Sequence, residues 1–350
     1  MPPDAASPRI LSTTDYHTAG EPFRIVTAGA PTARGRTVAE RRRWAIDHLD
    51  VDRALLCREP RGHADMYGGF LTPPDDEHGD LGVVFFHNDG FSTACGHGTI
   101  ALATWAVHTG LVTPPPRANE VPVVVDVPSG RVRAIVALDA QGRPVSARFV
   151  NVPAHVEATD VEVDLSSPPT PGGPSRGRVR VDLAYGGAFY ATLPAAALGL
   201  TVTPEHLPAL IATGRAIQRA VDACHPLTLP DASGAVGLYG VIFSEVLGEH
   251  HQRNVTVFAD GQVDRSPCGS GTSARLAVLV ERGELEIGAT LVHDSIVGSR
   301  FHARALGPSA TQPGPQRRYD TEVTGSAHRT GHHTFVLEPD DPLGPGFVLR

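Results

Sequence analysis

The chain has 350 residues, 41% of them hydrophobic and 19% charged, with a formal net charge of −8. That is the composition of a globular protein long enough for two domains. No apolar run approaches the roughly 20 residues of a membrane-spanning helix, and an acidic balance argues against a nucleic-acid partner, which calls for a basic face. All 30 basic residues are arginine; without lysine there is neither an internal aldimine with pyridoxal phosphate nor a Walker A loop.

In chain order, residues 8–30 predict a strand, a turn at Ala19-Gly20-Glu21-Pro22 and a second strand. Thr37 with Glu40 three positions on is a capping box, opening a helix over 37–49. A polar loop, Glu59 to Tyr67, precedes a buried-strand candidate at Leu81–Phe86. From Gly98 to Val107 the pattern is helical and almost wholly apolar, the mark of a helix enclosed by other structure. Alternation over 121–164 predicts half-buried strands. A Pro/Gly/Ser loop over Ser166–Gly177 leads to a strand at Val179–Leu183. An amphipathic helix is expected over 204–224, a strand over Asn254–Ala259 and a second apolar helix over Thr272–Arg282. A Pro/Gly loop near 307–318 and closing strands near 320–337 complete the chain. The N-terminal decapeptide MPPDAASPRI has neither the basic nor the apolar segment of a secretory signal.

The four cysteines, Cys57, Cys95, Cys224 and Cys268, are far apart and form no CxxC spacing, so they predict free thiols in a reducing compartment rather than a zinc site or a disulfide framework. Two of them belong to an internal repeat. Cys95-Gly96-His97-Gly98-Thr99 and Cys268-Gly269-Ser270-Gly271-Thr272 lie 173 residues apart, and over thirteen positions from each cysteine six are identical. Each copy is a Cys-Gly-x-Gly-Thr turn opening an apolar helix, so two similar half-chains are expected to face one another. The division expected is an N-terminal half over 1–127, completed by strands in 334–350, and a C-terminal half over 128–333.

A thiol at a helix N-terminus feels the dipole and the N–H groups there, which favour thiolate. Glycines let a ligand approach the backbone, and unpaired N–H groups make an anion site suited to a carboxylate. Two such turns across a cleft would let one thiolate remove a proton from a carbon while the other thiol delivers one to the opposite face. Both turns also fit a loose G-x-G-x-x-A dinucleotide pattern, but no strand runs directly into either and only Glu120 lies at the ribose distance. For Cys57 and Cys224 the expectation is a plain packing role.

Other polar groups have two readings. Glu59, Arg61, His63 and Asp65 form either a hydrogen-bonded loop or part of a site. The adjacent pairs His250-His251 and His332-His333 point apart on any regular backbone, so no metal site is expected. Asp264, just before the second thiol, either meets a substrate ammonium or makes an Asx turn that sets up the helix start. His97 either donates to substrate or covers the turn.

With these residues in view, the chain resembles the proline racemase family, which includes hydroxyproline 2-epimerases and trans-3-hydroxy-L-proline dehydratases. The resemblance runs through His17-Thr18-Ala19-Gly20-Glu21-Pro22, Glu59-Pro60-Arg61-Gly62-His63, Cys95-Gly96-His97-Gly98, Ala184-Tyr185-Gly186-Gly187 and Asp264-Arg265-Ser266-Pro267-Cys268-Gly269. It implies a diaminopimelate-epimerase-like α/β fold, two pseudo-symmetric halves each with a sheet wrapped around a central helix. It implies a protein, usually a homodimer, that acts on proline or hydroxyproline without a cofactor, and the free thiols predict a cytoplasmic location. Carried over, Cys95 and Cys268 are the acid/base pair, the backbone of Gly96, His97, Gly269 and Ser270 binds the substrate carboxylate, and Asp264 binds the ring nitrogen. The dehydratases typically carry Thr at the position of Cys268, which favours inversion here. The segments His87–Ala94 and Ala188-Phe189-Tyr190 look closer to the dehydratase branch, which keeps dehydration by Cys95 alone as the alternative. His225, Tyr185 and Phe91 are candidate pocket side chains. A binding module without turnover would be expected to lose a thiol, and this chain keeps both.

Overall fold

The strand–turn–strand expected over residues 8–30 folds as a hairpin in the computed structural model, which describes residues 7–165, 177–228, 236–310 and 316–349. Strands β1 (Arg9–Thr18) and β2 (Glu21–Ala28) pair antiparallel, turning through Ala19 and Gly20, both at positive φ. Helix α1 (Val38–His48) begins where the capping box places it: Thr37 Oγ1 accepts the Glu40 N–H at 3.2 Å, while the Glu40 carboxylate reaches the Arg36 N–H. A helix not expected from the sequence follows after Leu49 alone, α2 (Asp50–Cys57). Next come β3 (Tyr67–Thr72), parallel to β2, and the wholly buried β4 (Leu81–His87), antiparallel to β3. Helix α3 (Gly96–His108) crosses to β5 (Glu120–Val127), parallel to β4, and β6 (Gly130–Leu138) turns back on β5.

Strand β7 (Pro144–Val150) carries the chain onward. Strands β8 (Ala154–Asp164), β9 (Arg178–Tyr185) and β10 (Phe189–Pro194) are successively antiparallel. The loop expected over Ser166–Gly177 lies, except for Gly177, outside the described residues. Helix α4 (Leu207–Cys224) follows a short 3₁₀ turn at Pro204–His206. Then β11 (Gly240–Gly248) runs parallel to β10, and β12 (His251–Phe258) antiparallel to β11. The short β13 (Gln262–Asp264) leads into α5 (Gly269–Glu281). Strands β14 (Leu291–Ser295), β15 (Arg300–Pro308) and β16 (Arg318–Gly325) follow, and β17 (Ala327–Leu337) returns to pair with β1.

The chain divides into two compact units, Met1–Arg148 with Ser326–Arg350, and Phe149–Gly325. These bounds lie beyond the sequence expectation at 127/128 because the β5–β6 hairpin stays with the first unit, and β17 joins that unit from Ser326 rather than 334. Within the first unit the order is β1–β2, helices, β3–β4, α3, β5–β6; within the second it is β9–β10, α4, β11–β12, α5, β14–β15. The pairing senses match: hairpins are antiparallel, and successive hairpins join through parallel pairs. In the second unit β8 pairs with both β9 and β16, closing the sheet around α5.

Each unit therefore wraps a sheet around one apolar helix. α3 contacts β1, β2, β5, β6 and β17, and α5 contacts β8, β9, β10, β15 and β16. The first nine residues of α3 and the first eleven of α5 are buried. A helix surrounded on all sides needs no polar face, which explains its unbroken apolar pattern. Among the described residues no helix is long and apolar enough to cross a membrane.

Burial keeps several imidazoles neutral. His87, His97 and His293 are pushed down to about 3 and His155 to about 4 from 6.5, in each case chiefly by desolvation. Unfolding lets each take up a proton near 6.5, so stability is full above that pH and falls as the pH drops from about 6.5 toward 3. Each group should contribute about 1.4 kcal/mol per pH unit in that window. Urea unfolding followed between neutral pH and pH ~4.5 should show a steeply falling midpoint; a flat profile would contradict the neutral burial of these rings.

Candidate active site: two cysteine-capped helix starts

The two repeat motifs become two equivalent helix starts. α3 and α5 are both 13 residues long, and the residue before each is the repeated cysteine, Cys95 and Cys268. Both thiols are buried, at 4% and 6% exposure. The third residue of each helix is glycine, Gly98 or Gly271, and the reason is steric. A Cβ on Gly98 would lie 2.7 Å from Cys95 Sγ and 2.4 Å from Phe23 Cε2, and one on Gly271 would lie 2.9 Å from Cys268 Sγ and 3.0 Å from Ile242 Cδ1. Gly96, His97, Gly269 and Ser270 supply the first-turn N–H groups, for which a helix offers no carbonyl one turn earlier. Those groups, with the dipole behind them, suit a carboxylate.

The surroundings of the two thiols differ. Cys95 has extended backbone, and its Sγ accepts the Gly98 N–H at 3.2 Å, an N-cap made with sulfur. Both ring nitrogens of His97 lie 3.5 Å from Sγ, and the ring packs edge-on against Phe23 and Tyr67. Desolvation lowers that imidazole to about 3, so the ring is neutral near pH ~7 with one N–H donor and one acceptor nitrogen. Thr18 Oγ1 donates to the His97 carbonyl at 2.9 Å and Thr99 Oγ1 to the Cys95 carbonyl at 2.8 Å, fixing the turn from both sides.

Cys268 instead sits at φ +63°, ψ 108°, a left-handed backbone that costs a non-glycine residue about 1–3 kcal/mol and persists only where neighbours over-determine it. The Pro267 carbonyl accepts from Asn254 Nδ2 (2.8 Å) and Thr272 Oγ1 (3.0 Å), and Thr272 Oγ1 in turn meets His293 Nδ1 at 2.9 Å. Ser266 Oγ accepts the Cys268 N–H at 3.1 Å. Asp264 Oδ1 accepts the Ser266 N–H at 2.8 Å and its hydroxyl at 2.7 Å, the Asx turn read as one option for this residue. Burial and, second, the Asp264 carboxylate push the Cys268 thiol well up, while the Gly271 N–H, the Thr256 hydroxyl and the Tyr190 hydroxyl, 3.9 Å from Sγ, pull the other way. Asp264 is itself held above the usual carboxylate range by burial, against its bonds to Ser266.

The remaining candidates go elsewhere. Cys57 is in the core with its thiol pushed up to about 12 by burial, and Cys224 is exposed at the end of α4. The loop after α2 is knit structurally: Glu59 pairs through its backbone with Phe347, Arg61 binds Asp341 at 2.7 Å, and His63 Nδ1 accepts the Asp65 N–H at 3.2 Å. Phe91 packs in the core of the first unit, Tyr185 stacks on His155, and half-buried His225 ends α4. Among the described residues no three His, Cys, Asp or Glu side chains converge as metal ligands. Sequence reasoning did not single out Phe23 and Tyr67 beside His97, nor Tyr190 and Ser266 beside Cys268; only the string Ala188-Phe189-Tyr190 drew notice, as a subfamily marker.

A family profile described as Proline racemase matches residues 13–348. The chain belongs to the proline racemase family. It is 44% identical over 345 residues to the 3-hydroxyproline 2-epimerase of Burkholderia multivorans (98% of this chain, 99% of that protein). It is 41% identical over 343 residues to the trans-3-hydroxy-L-proline dehydratase of Bacillus cereus (97% and 98%). Among solved structures, a hydroxyproline epimerase from Agrobacterium vitis with bound trans-4-OH-L-proline superposes with TM-score 0.87 at 29% identity, covering 97% of this chain and 96% of that one. The fold expected for a proline racemase family member is the fold found.

The steric reading of the glycines gives an ordered expectation for this family member. Alanine gains about 1 kcal/mol in helix propensity over glycine, whereas overpacking costs about 1–3 kcal/mol. At Gly98 the clash with Phe23 and Sγ wins, so Gly98→Ala should lower the urea midpoint; at Gly271, where contacts are looser, Gly271→Ala should lower it less. Equal midpoints, or the reverse order, would refute the packing argument.

Proposed function

We propose that this chain is a cofactor-independent racemase or epimerase that inverts the α-carbon of proline or a hydroxyproline, with Cys95 and Cys268 as its acid/base pair. The observation that carries the reading is the repeated thiol, one at the start of each enclosed helix in two units of matching topology. The epimerase names of the Burkholderia and Agrobacterium proteins support it.

In this reading the substrate carboxylate takes the N–H groups of Gly96, His97, Gly269 and Ser270, and the ring ammonium pairs with Asp264. Withdrawal of charge by those N–H groups lowers the cost of the carbanion formed when one cysteine thiolate takes the α-proton. The other thiol gives its proton to the opposite face, leaving the inverted amino acid with the thiol and thiolate exchanged. Burial and Asp264 favour the protonated form of Cys268, which suits it to donate first. A substrate ammonium beside Asp264 would cancel that carboxylate's charge and ease the later loss of the Cys268 proton. A cytoplasmic homodimer belongs to the same reading.

The second reading, dehydration of trans-3-hydroxy-L-proline, is favoured by the Bacillus cereus relative. There Cys95 thiolate removes the α-proton, the 3-hydroxyl leaves as water on protonation, and the enamine formed tautomerises to the imine. Proton NMR in D2O with L-proline, trans-4-hydroxy-L-proline and trans-3-hydroxy-L-proline separates the two. Inversion predicts loss of the α-proton signal with growth of the opposite epimer, and a fall of about a hundredfold or more in Cys95→Ser and in Cys268→Ser alike. Imine from the 3-hydroxy compound with no epimer, and activity retained by Cys268→Ser, would overturn inversion in favour of dehydration.

A further inference from the structure

We propose that Tyr190 and Ser270 form a hydroxyl pair that serves Cys268 in both of its proton states, making Tyr190 a positioning residue for that thiol. Tyr190 Oη lies 2.7 Å from Ser270 Oγ and 3.9 Å from Cys268 Sγ. All three side chains are nearly sealed from solvent, with Tyr190 1% and Ser270 3% exposed. The Tyr190 ring is fixed edge-on against Tyr239, so its hydroxyl has little freedom except rotation about the C–O bond.

A hydroxyl both donates and accepts. With Cys268 as thiol, S–H points to Tyr190 Oη, and the tyrosine O–H donates to Ser270 Oγ. With Cys268 as thiolate, both hydroxyls rotate: Tyr190 donates to sulfur, and Ser270 donates to Tyr190. No heavy atom moves and no proton is transferred beyond the one Cys268 gains or loses. A partner that reverses in this way follows Cys268 through either proton state, whereas a fixed donor favours the thiolate and a fixed acceptor the thiol. Cys95 has the Gly98 N–H and the His97 ring nitrogens beside its sulfur instead of a tyrosine and serine hydroxyl.

The assignment rests on the proposed role of Cys268, but its test does not need turnover. Iodoacetamide labelling of the intact protein, read peptide by peptide by mass spectrometry across about pH 6 to 10, follows the thiolate of each cysteine separately. Tyr190→Phe removes one oxygen and keeps the ring. It should move the Cys268 profile alkaline by roughly one pH unit, a tenfold slower labelling at fixed pH, and leave Cys95 unchanged. Ser270→Ala should shift Cys268 in the same direction by less, and it carries the test alone should the phenylalanine variant not fold. A Cys268 profile unchanged or moved acid in the variants would overturn the assignment. Wild-type protein inert toward every proline tested, with the Cys268 shift present, would overturn the proposed function and leave the hydroxyl pair standing.

Discussion

Both helix starts depend on one steric constraint: a sulfur atom occupies the volume that a Cβ would fill at the third helical residue. Glycine at 98 and 271 is what allows the thiol to fold back over its own helix, where the dipole and the first-turn N–H groups converge. The rest of each unit is arranged to keep that start in place. The helix is enclosed by strands, so it cannot slide without exposing apolar surface, and it carries no polar face along which to do so. The parallel pairs joining successive hairpins need crossover connections, and the enclosed helix is one such crossover in each unit.

The repeated motif is solved twice with different local chemistry. At Cys95 the backbone is relaxed and the sulfur is capped by a main-chain donor that cannot be withdrawn. At Cys268 the backbone is left-handed, held there by Asn254, Thr272 and Ser266, and the sulfur faces a carboxylate and a hydroxyl. Strain of about 1–3 kcal/mol at one residue is tolerable because three side chains fix the peptide on either side. The short β13, which has no counterpart among the described residues of the first unit, is what delivers Asp264 and the Asx turn to that position. Pseudo-symmetry of fold therefore coexists with asymmetry of electrostatics around the two thiols.

Much of this was legible in the residues. The Cys-Gly-x-Gly-Thr repeat located both helix starts within three residues, because glycine and cysteine there answer a local steric demand that shows in sequence. The apolar runs of α3 and α5 announced enclosure for the same reason. What escaped was set by tertiary contact. Helix α2 follows α1 across a single buried residue, Leu49, with no turn signal between them, and so reads as loop. Tyr190, Tyr67 and Phe23 reach the helix starts from strands buried over most of their length, and nothing local distinguishes an aromatic beside a thiol from one in the core. The division between units was displaced for a related reason: strand alternation continues unbroken from β5 through β8, and only pairing partners decide to which unit a hairpin belongs.

Burial of the site brings a further physical consequence. Desolvation raises the cost of a thiolate at Cys268, so the charge that the proposed chemistry requires is unwelcome until something compensates it. A zwitterionic amino acid brings both compensations at once. Under the proposed function its carboxylate would take first-turn N–H groups, and its ammonium beside Asp264 would offset the carboxylate that opposes the thiolate. A neutral analogue or a simple carboxylate supplies only half of that pairing. Under that reading, preference for a zwitterion follows from the cost of charging a dry site together with the Asp264 carboxylate.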